Sequence, residues 1–216
     1  MSALASSIAS LRQLLSERFP QVTRSPTRVL PTGIPSLDDL TGGLPRHALT
    51  ELVCVAPSSG SQLLIGQLLH AIRTGTGRAA LIESSDSFDP NSWPADDLRC
   101  LVWLRCRNAG EALSVADLFA RDANLDLVLL DLRRTASREL HRIPASTWYR
   151  LQRAVEQTNA SLLAITPTAM VPSAQLRLTL AQSLGPAAQN TPRPQLTAAL
   201  NLSVQRQRLS SQLVVG

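Results

Sequence analysis

At 216 residues the chain is long enough for one well-packed α/β domain and short for two. A hydrophobic content of 44% excludes general disorder, and no apolar run approaches the roughly 18 residues of a transmembrane helix, so we expect a cytoplasmic protein without a membrane partner. The net charge of +5 is carried by arginine alone, since the sequence contains no lysine, and it favours acidic partners such as nucleic acid or protein surfaces.

The first predicted element is an amphipathic helix in residues 1–20, which Pro20 ends. Its apolar residues recur with a helical period and would form one face: Leu4, Ile8, Leu11 and Leu15. Residues 21–31 are polar and contain proline, which predicts a linker to a core domain at residues 32–208. The helix would dock on its own core or on a neighbouring protein, and residues 209–216 would form a short tail.

Strand-like apolar runs alternate with helices along the core domain. The predicted strands are residues 49–55, 78–83, 101–106, 125–132, 161–166 and 198–205. The predicted helices are residues 63–73, 109–120 and 145–159, and residues 184–195 are predicted to form a loop before the last strand. Because most of these strands are continuous apolar runs, we expect an α/β fold with a doubly wound, mainly parallel sheet covered by helices on both faces.

Three cysteines lie in or beside these apolar runs: Cys54, Cys100 and Cys106. Their spacing matches neither a disulfide framework nor a metal-binding motif. We therefore expect buried free thiols in a reducing compartment, with no metal site.

The stretch 55–62 follows the first core strand and opens a helix, which is the place of a phosphate-binding loop. In an active loop, a lysine reaches the β- and γ-phosphates and a Ser or Thr hydroxyl holds Mg²⁺. Ser61 and Gln62 stand at those two places, and Val55 replaces the first glycine. The amides from Ser58 through Ser59 and Gly60 to Ser61 either cradle an anion or form an inherited turn that binds nothing. We expect no cofactor.

Several motifs occur in the order found in one family. Residues 30–52 contain Thr-Gly, Ser-Leu-Asp and Gly-Gly-Leu-Pro segments ahead of a strand with a glutamate, Glu51. The loop at 55–62 follows, then an Asp-Pro at 89–90 and an apolar strand that ends at Asp131. Over residues 29–205 this order resembles the RecA ATPase core. The resemblance implies a RecA-like fold with Asp131 at the Walker B position, where the aspartate either caps the next segment or serves as a Mg²⁺ ligand.

The departures from the RecA pattern all remove catalytic chemistry. The loop lacks its lysine and metal-binding hydroxyl, Ser84 and Ser85 stand where RecA carries the glutamate that activates water, and Thr166-Pro167 stands at its polar sensor. We therefore expect no enzymatic activity. The alternative is a cryptic ATPase that uses Arg46 or Arg78 instead of lysine.

One further departure concerns DNA binding. Residues 169–184, which correspond to RecA's second DNA loop, are short and poor in glycine, which weakens the case for filament-type DNA binding.

Arginines are concentrated after Asp131, in the region of RecA's first DNA loop, with Trp148 and Tyr149 among them. They are Arg133, Arg134, Arg138, Arg142, Arg150 and Arg153. Arginines and aromatics in this pattern suit DNA phosphates and bases, or an acidic protein partner. The alternative is a solvated basic face with Trp148 in the core.

Two small families of degenerate RecA-like proteins resemble this chain. ImuA proteins are accessory factors of SOS-induced mutagenic translesion synthesis, and they share the N-terminal helix and the Gly-Gly-Leu-Pro segment. This resemblance implies binding to RecA or to translesion polymerase subunits, namely a Y-family-like homologue and an error-prone replicative-type polymerase, with DNA binding and self-association left open. SulA proteins, SOS-induced inhibitors of the tubulin-like division protein, share the missing P-loop and are the second choice.

Overall fold

A computed structural model describes residues 29–207 of the chain. The predicted N-terminal helix with Leu4, Ile8, Leu11 and Leu15, most of the predicted linker, and the predicted tail lie outside the described residues. None of the helices within residues 29–207 is both long and apolar enough to cross a membrane.

The described part is built on a seven-stranded sheet. Its strands are β3 (Ala48–Cys54), β4 (Ala79–Glu83), β5 (Leu101–Arg105), β6 (Leu127–Asp131), β7 (Ser161–Thr166), β8 (Leu176–Leu180) and β9 (Leu202–Gln207). Their order is β5-β4-β6-β7-β3-β8-β9; β9 is antiparallel to β8, and all the other pairs are parallel. A small antiparallel ribbon, β1 (Val29–Leu30) with β2 (Leu44–Pro45), precedes the sheet.

Helices cover both faces of the sheet. They are α1 (Pro35–Thr41), α2 (Ser61–Thr74), α3 (Ala95–Leu98), α4 (Ala109–Phe119), α5 (Ser137–Leu140), α6 (Ala145–Glu156) and α7 (Arg193–Ala198). Buried residues of α1 and α2 pack in one apolar core, and those of α4 and α6 pack in a second core on the opposite face. This arrangement confirms the predicted α/β fold with a mainly parallel, RecA-like sheet.

Register places the polar ends of the central strands at one edge. Glu83 at the end of β4 pairs with Asp131 at the end of β6, and Val53 of β3 pairs with Thr166 of β7. Loops that follow parallel strands meet at their carboxyl edge, where such sheets form their sites. The candidate site is therefore expected above these four residues.

Three segments differ from the sequence prediction. Residues 169–184, compared with a DNA loop, contain the interior strand β8, whose alternate residues Leu176, Leu178 and Leu180 are buried. The predicted last strand at 198–205 begins later, at Leu202, because Ala198 ends α7. The segment 184–195, predicted as a loop, contains a short 3-10 turn and the start of α7. Short elements with few periods are the hardest to recognise from pattern alone.

Candidate functional site

The loop between β3 and α2 occupies the place of a phosphate-binding loop and is held by neighbouring protein. Ser58 has a φ of 54° and Gly60 a φ of 90°, both in the left-handed region. The crossover segment, defined as residues 181–201 between β8 and β9, contacts the loop, and the Leu184 amide donates to the Ser58 carbonyl at 2.9 Å. The loop conformation is therefore supported by the fold itself.

Gly60, the glycine of this loop, has little room for a side chain. A Cβ added there would lie 2.6 Å from Leu200 Cδ2, and the backbone φ of 90° strains any L-residue. Because Leu200 is buried, we expect Gly60→Ala to lower the free energy of unfolding by about 1–3 kcal/mol, measured by urea denaturation. The matched control is Gly185→Ala, whose Cβ would meet nothing within 4 Å and which should leave stability unchanged or slightly raised. Equal stability of the two variants would contradict this reading of the loop.

The two residues that stand at the lysine and metal-binding places of the loop form hydrogen bonds within the protein. Ser61, at the lysine place, is buried, and its Oγ accepts a hydrogen bond from Arg133 Nη1. Gln62, at the metal-binding place, donates from Nε2 to the Ser87 carbonyl at 3.3 Å. Neither side chain carries a charge that could offset a triphosphate.

Arg133 lies between the loop and the strand end. Its Nε donates to Asp131 Oδ1 at 2.9 Å, its Nη2 donates to Asp131 Oδ2, and its Nη1 reaches Ser61. The side chains of Asp131 and Arg133 are 2% and 14% exposed. Burial alone would lower the pKa of Arg133, but the hydrogen bonds and charge of Asp131 outweigh it and raise the pKa, so the guanidinium remains charged. We call this Asp131–Arg133–Ser61 arrangement the Arg133 bridge.

Glu83, at the end of β4, has a structural role. Its buried carboxylate accepts from the Ser87 amide at 2.7 Å, from the Phe88 amide at 3.2 Å and from Trp103 Nε1 at 2.8 Å. These bonds shape the turn after β4. Asp86, in that turn, is exposed, and its Oδ1 lies 3.4 Å from Arg105 Nη1.

Glu51 of β3 is also buried, and both of its carboxylate oxygens accept hydrogen bonds. Its Oε1 accepts from the amides of Met170 and Val171 and from Thr166 Oγ1, and its Oε2 accepts from Arg177 Nε at 2.5 Å. Thr166, at the sensor place, is thus turned toward Glu51. These bonds fix the loop that follows β7.

The other predicted arginines remain at the surface. The side chains of Arg134, Arg138, Arg142, Arg150 and Arg153 are exposed, and Arg150 also contacts Asp117 at 3.2 Å. Trp148 is buried in the core, whereas Tyr149 is 46% exposed. The structure therefore separates Arg133 from the remaining five and leaves one of the two aromatics accessible.

The arginines considered as lysine substitutes lie at the opposite edge of the sheet. Arg46 precedes β3, and its Nη1 donates to Asp126 at 2.9 Å and to the Asn159 carbonyl at 2.8 Å. Arg78 precedes β4, and its amide also donates to Asp126. Arg133 is the arginine at the loop instead. The sequence prediction missed that the Arg133 side chain turns inward. The available signal was the Asp-Leu-Arg sequence at 131–133 after a buried strand, because residues two apart on an extended chain lie on the same side.

A cleft of about 1110 Å³ opens above the loop. Its walls come from the phosphate-loop stretch, from Arg133 and Arg134, from Pro167, and from the crossover segment through Leu184, Gly185, Pro186, Ala188, Gln189 and Leu196. Cys54 lies at its base, where burial raises the pKa of the thiol despite nearby Ser59, Arg133 and Ser61. The sequence prediction did not assign the crossover residues to the site, because they are far from the loop along the chain.

The chain was compared with known proteins. No family model matches it. It is 32% identical to RecA of Clavibacter michiganensis over 112 residues, which cover 50% of this chain and 31% of that protein. It is 31% identical to RecA of Saccharopolyspora erythraea over 118 residues (53% and 34%), and 28% identical to RecA of Streptomyces coelicolor over 118 residues (53% and 31%). The matched region thus spans about a third of the length of these relatives. Together with the mainly parallel sheet, these partial matches support a RecA-like family for this chain.

Proposed function

We propose that this chain is a catalytically inactive, RecA-like accessory protein of the bacterial SOS response. In this role it supports or regulates mutagenic translesion DNA synthesis, as the resemblance to ImuA proteins implies. It acts in the cytoplasm, without a cofactor, by binding RecA or translesion polymerase subunits, and its exposed arginines offer a surface for DNA or for an acidic protein.

The observation that carries the proposal is the Arg133 bridge. The resemblance to RecA assigns Asp131 to the place of a Mg²⁺ ligand, yet both of its oxygens accept hydrogen bonds from Arg133. Phosphoryl transfer depends on a metal, a cation at the phosphates and a positioned water. Asp131 is engaged, the lysine place holds Ser61, and Glu83 is bound to the turn after β4. Loss of all three leaves the fold as a scaffold for interactions.

The exposed arginines support the binding part of the proposal. Arg134, Arg138 and Arg142 follow β6 closely in sequence and have exposed side chains. Contacts of this kind to phosphates release counterions, so affinity for DNA would fall steeply with salt. Arginine is also favoured at protein interfaces, where its planar head forms paired hydrogen bonds with carboxylates.

The test is a binding titration of the purified full chain against RecA, against the Y-family-like polymerase homologue and against the error-prone replicative-type polymerase. We expect a stable complex with at least one of them. For a partner that does not itself bind ATP, MgATP should not change the affinity, because a ligand without differential binding cannot shift an equilibrium. Phosphate release is measured on the chain alone, because RecA is itself an ATPase, and it should equal that of Asp131→Ala.

Two results would overturn the proposal. Release of phosphate that disappears in Asp131→Ala would identify an ATPase. Binding to the tubulin-like division protein, with none of the three expected partners bound, would identify a SulA-like division inhibitor instead.

A further inference from the structure

The cleft above the loop has an apolar wall that the described fold leaves open. Its apolar lining is formed by Val55, Pro57, Pro167, Leu184, Pro186 and Leu196. Val55, which directly follows β3, is 62% exposed although its side chain is β-branched and apolar. An accessible apolar surface inside a concave site is typical of a binding groove rather than of a solvated loop.

The polar end of this cleft is closed to metal-bound phosphate. The Arg133 bridge places a guanidinium between Ser61 and Asp131, so the position of a phosphate and its metal is taken by the protein's own cation. The charge of Arg133 is already balanced by Asp131. What remains for a ligand is the apolar wall and the rim.

The rim carries one exposed positive charge. Arg134 lines the cleft, and within residues 29–207 it forms no salt bridge. No Asp or Glu is among the residues that line the cleft. A carboxylate therefore complements this rim, because arginine binds carboxylates through paired hydrogen bonds.

The residues that line the cleft suit a peptide better than a single-stranded nucleic acid. No Phe, Tyr or Trp lines the cleft, whereas grooves for single-stranded nucleic acid stack bases on aromatic side chains. Three prolines in the wall restrict backbone motion, and a rigid apolar groove reduces the entropy lost on binding. These properties favour a peptide over an oligonucleotide.

We propose that the cleft is a docking groove for an extended peptide segment of a partner protein, with apolar side chains against the wall around Val55 and a carboxylate on Arg134. The proposal rests on the accessory function proposed above, because it makes this groove one place where a partner binds. A former nucleotide cleft thereby becomes a protein-recognition site.

The test selects ligands from a phage-displayed library of random dodecapeptides on the immobilised full chain. We expect enriched peptides that combine apolar residues with Asp or Glu, and the synthetic peptides should bind in fluorescence anisotropy. Val55→Glu and Arg134→Glu should each weaken binding at least about tenfold, since the first puts a charge on the apolar wall and the second repels the carboxylate of the peptide. Arg107→Glu, at an exposed arginine outside both the cleft lining and the proposed arginine surface, is the matched control and should bind normally.

The groove is overturned if no peptide is enriched, if enriched peptides are insensitive to Val55→Glu and Arg134→Glu, or if Arg107→Glu weakens binding equally. A fluorescent oligo-dT that binds the wild type, and loses binding in both Val55→Glu and Arg134→Glu, would assign the cleft to single-stranded DNA instead. Full-length partners that bind wild type and Val55→Glu equally would refute the groove while leaving the accessory function intact. Circular dichroism and thermal melting of each variant exclude misfolding as the cause.

Discussion

Replacing Arg133 with alanine is expected to lower the free energy of unfolding by about 3–5 kcal/mol, because Asp131 would keep a buried charge without its cation. The carboxylate is 2% exposed, and it would retain only the Arg133 amide and the weak Ser87 hydroxyl contact at 3.4 Å. Urea denaturation of the purified full chain at neutral pH measures the change.

The matched control is Arg134→Ala, one residue away but exposed and without a salt bridge in the described residues. Its effect should stay within about 0.5 kcal/mol, as for most surface substitutions. Asp131→Leu combined with Arg133→Leu should recover much of the loss, because replacing both partners removes the unpaired charge. If the changes in free energy of unfolding of Asp131→Leu and Arg133→Leu simply add up in the double variant, the bridge contributes nothing to the stability of the fold.

The same bridge has a consequence for ligand dependence. In a nucleotide-binding protein, the ligand stabilises the native state by mass action. Here the cation that joins the loop to the end of β6 is part of the chain, so stability should not depend on nucleotide or Mg²⁺. This expectation fits the proposed accessory function, in which the chain binds partners without cycling between nucleotide states.

The sequence predicted the backbone of the site well. The strand, the loop at 55–62 and the carboxylate at Asp131 follow from local signals: an apolar run, a turn and a helix start. The expected loss of catalytic chemistry depends only on which residue stands at each place, and it stays a prediction. Parallel register then brings Glu83 and Asp131 to one edge.

Side-chain direction and long-range contacts were less predictable. The inward turn of Arg133 depends on the buried charge of Asp131 and on Ser61, which is 72 residues distant in sequence. The crossover segment reaches the loop through the antiparallel return from β8 to β9. Strand β8 itself was hidden because Arg177 interrupts its apolar pattern, and that arginine is tolerated only because Glu51 pairs with it.

Replacing Glu51 with alanine is the second substitution with a large expected effect, again about 3–5 kcal/mol in the free energy of unfolding. The Glu51 side chain is fully buried, and its ion-pair partner Arg177 is 18% exposed. The variant would leave Arg177 without its carboxylate and would remove the acceptor for two loop amides, at Met170 and Val171. Asp96→Ala, which removes an exposed pair with Arg99, is the control and should cost at most about 1 kcal/mol.

Hydrogen exchange separates this mechanism from general destabilisation. Glu51 fixes the loop after β7, and Pro167 in that loop lines the cleft, so the ion pair shapes one wall of the proposed groove. Under conditions where Glu51→Ala remains folded, the amides of residues 168–175 should exchange faster while those of α4 keep their protection. Uniform loss of protection would mean that the pair supports only global stability. Confined loss would show that a glutamate retained from a nucleotide-binding pattern now positions a wall of the cleft.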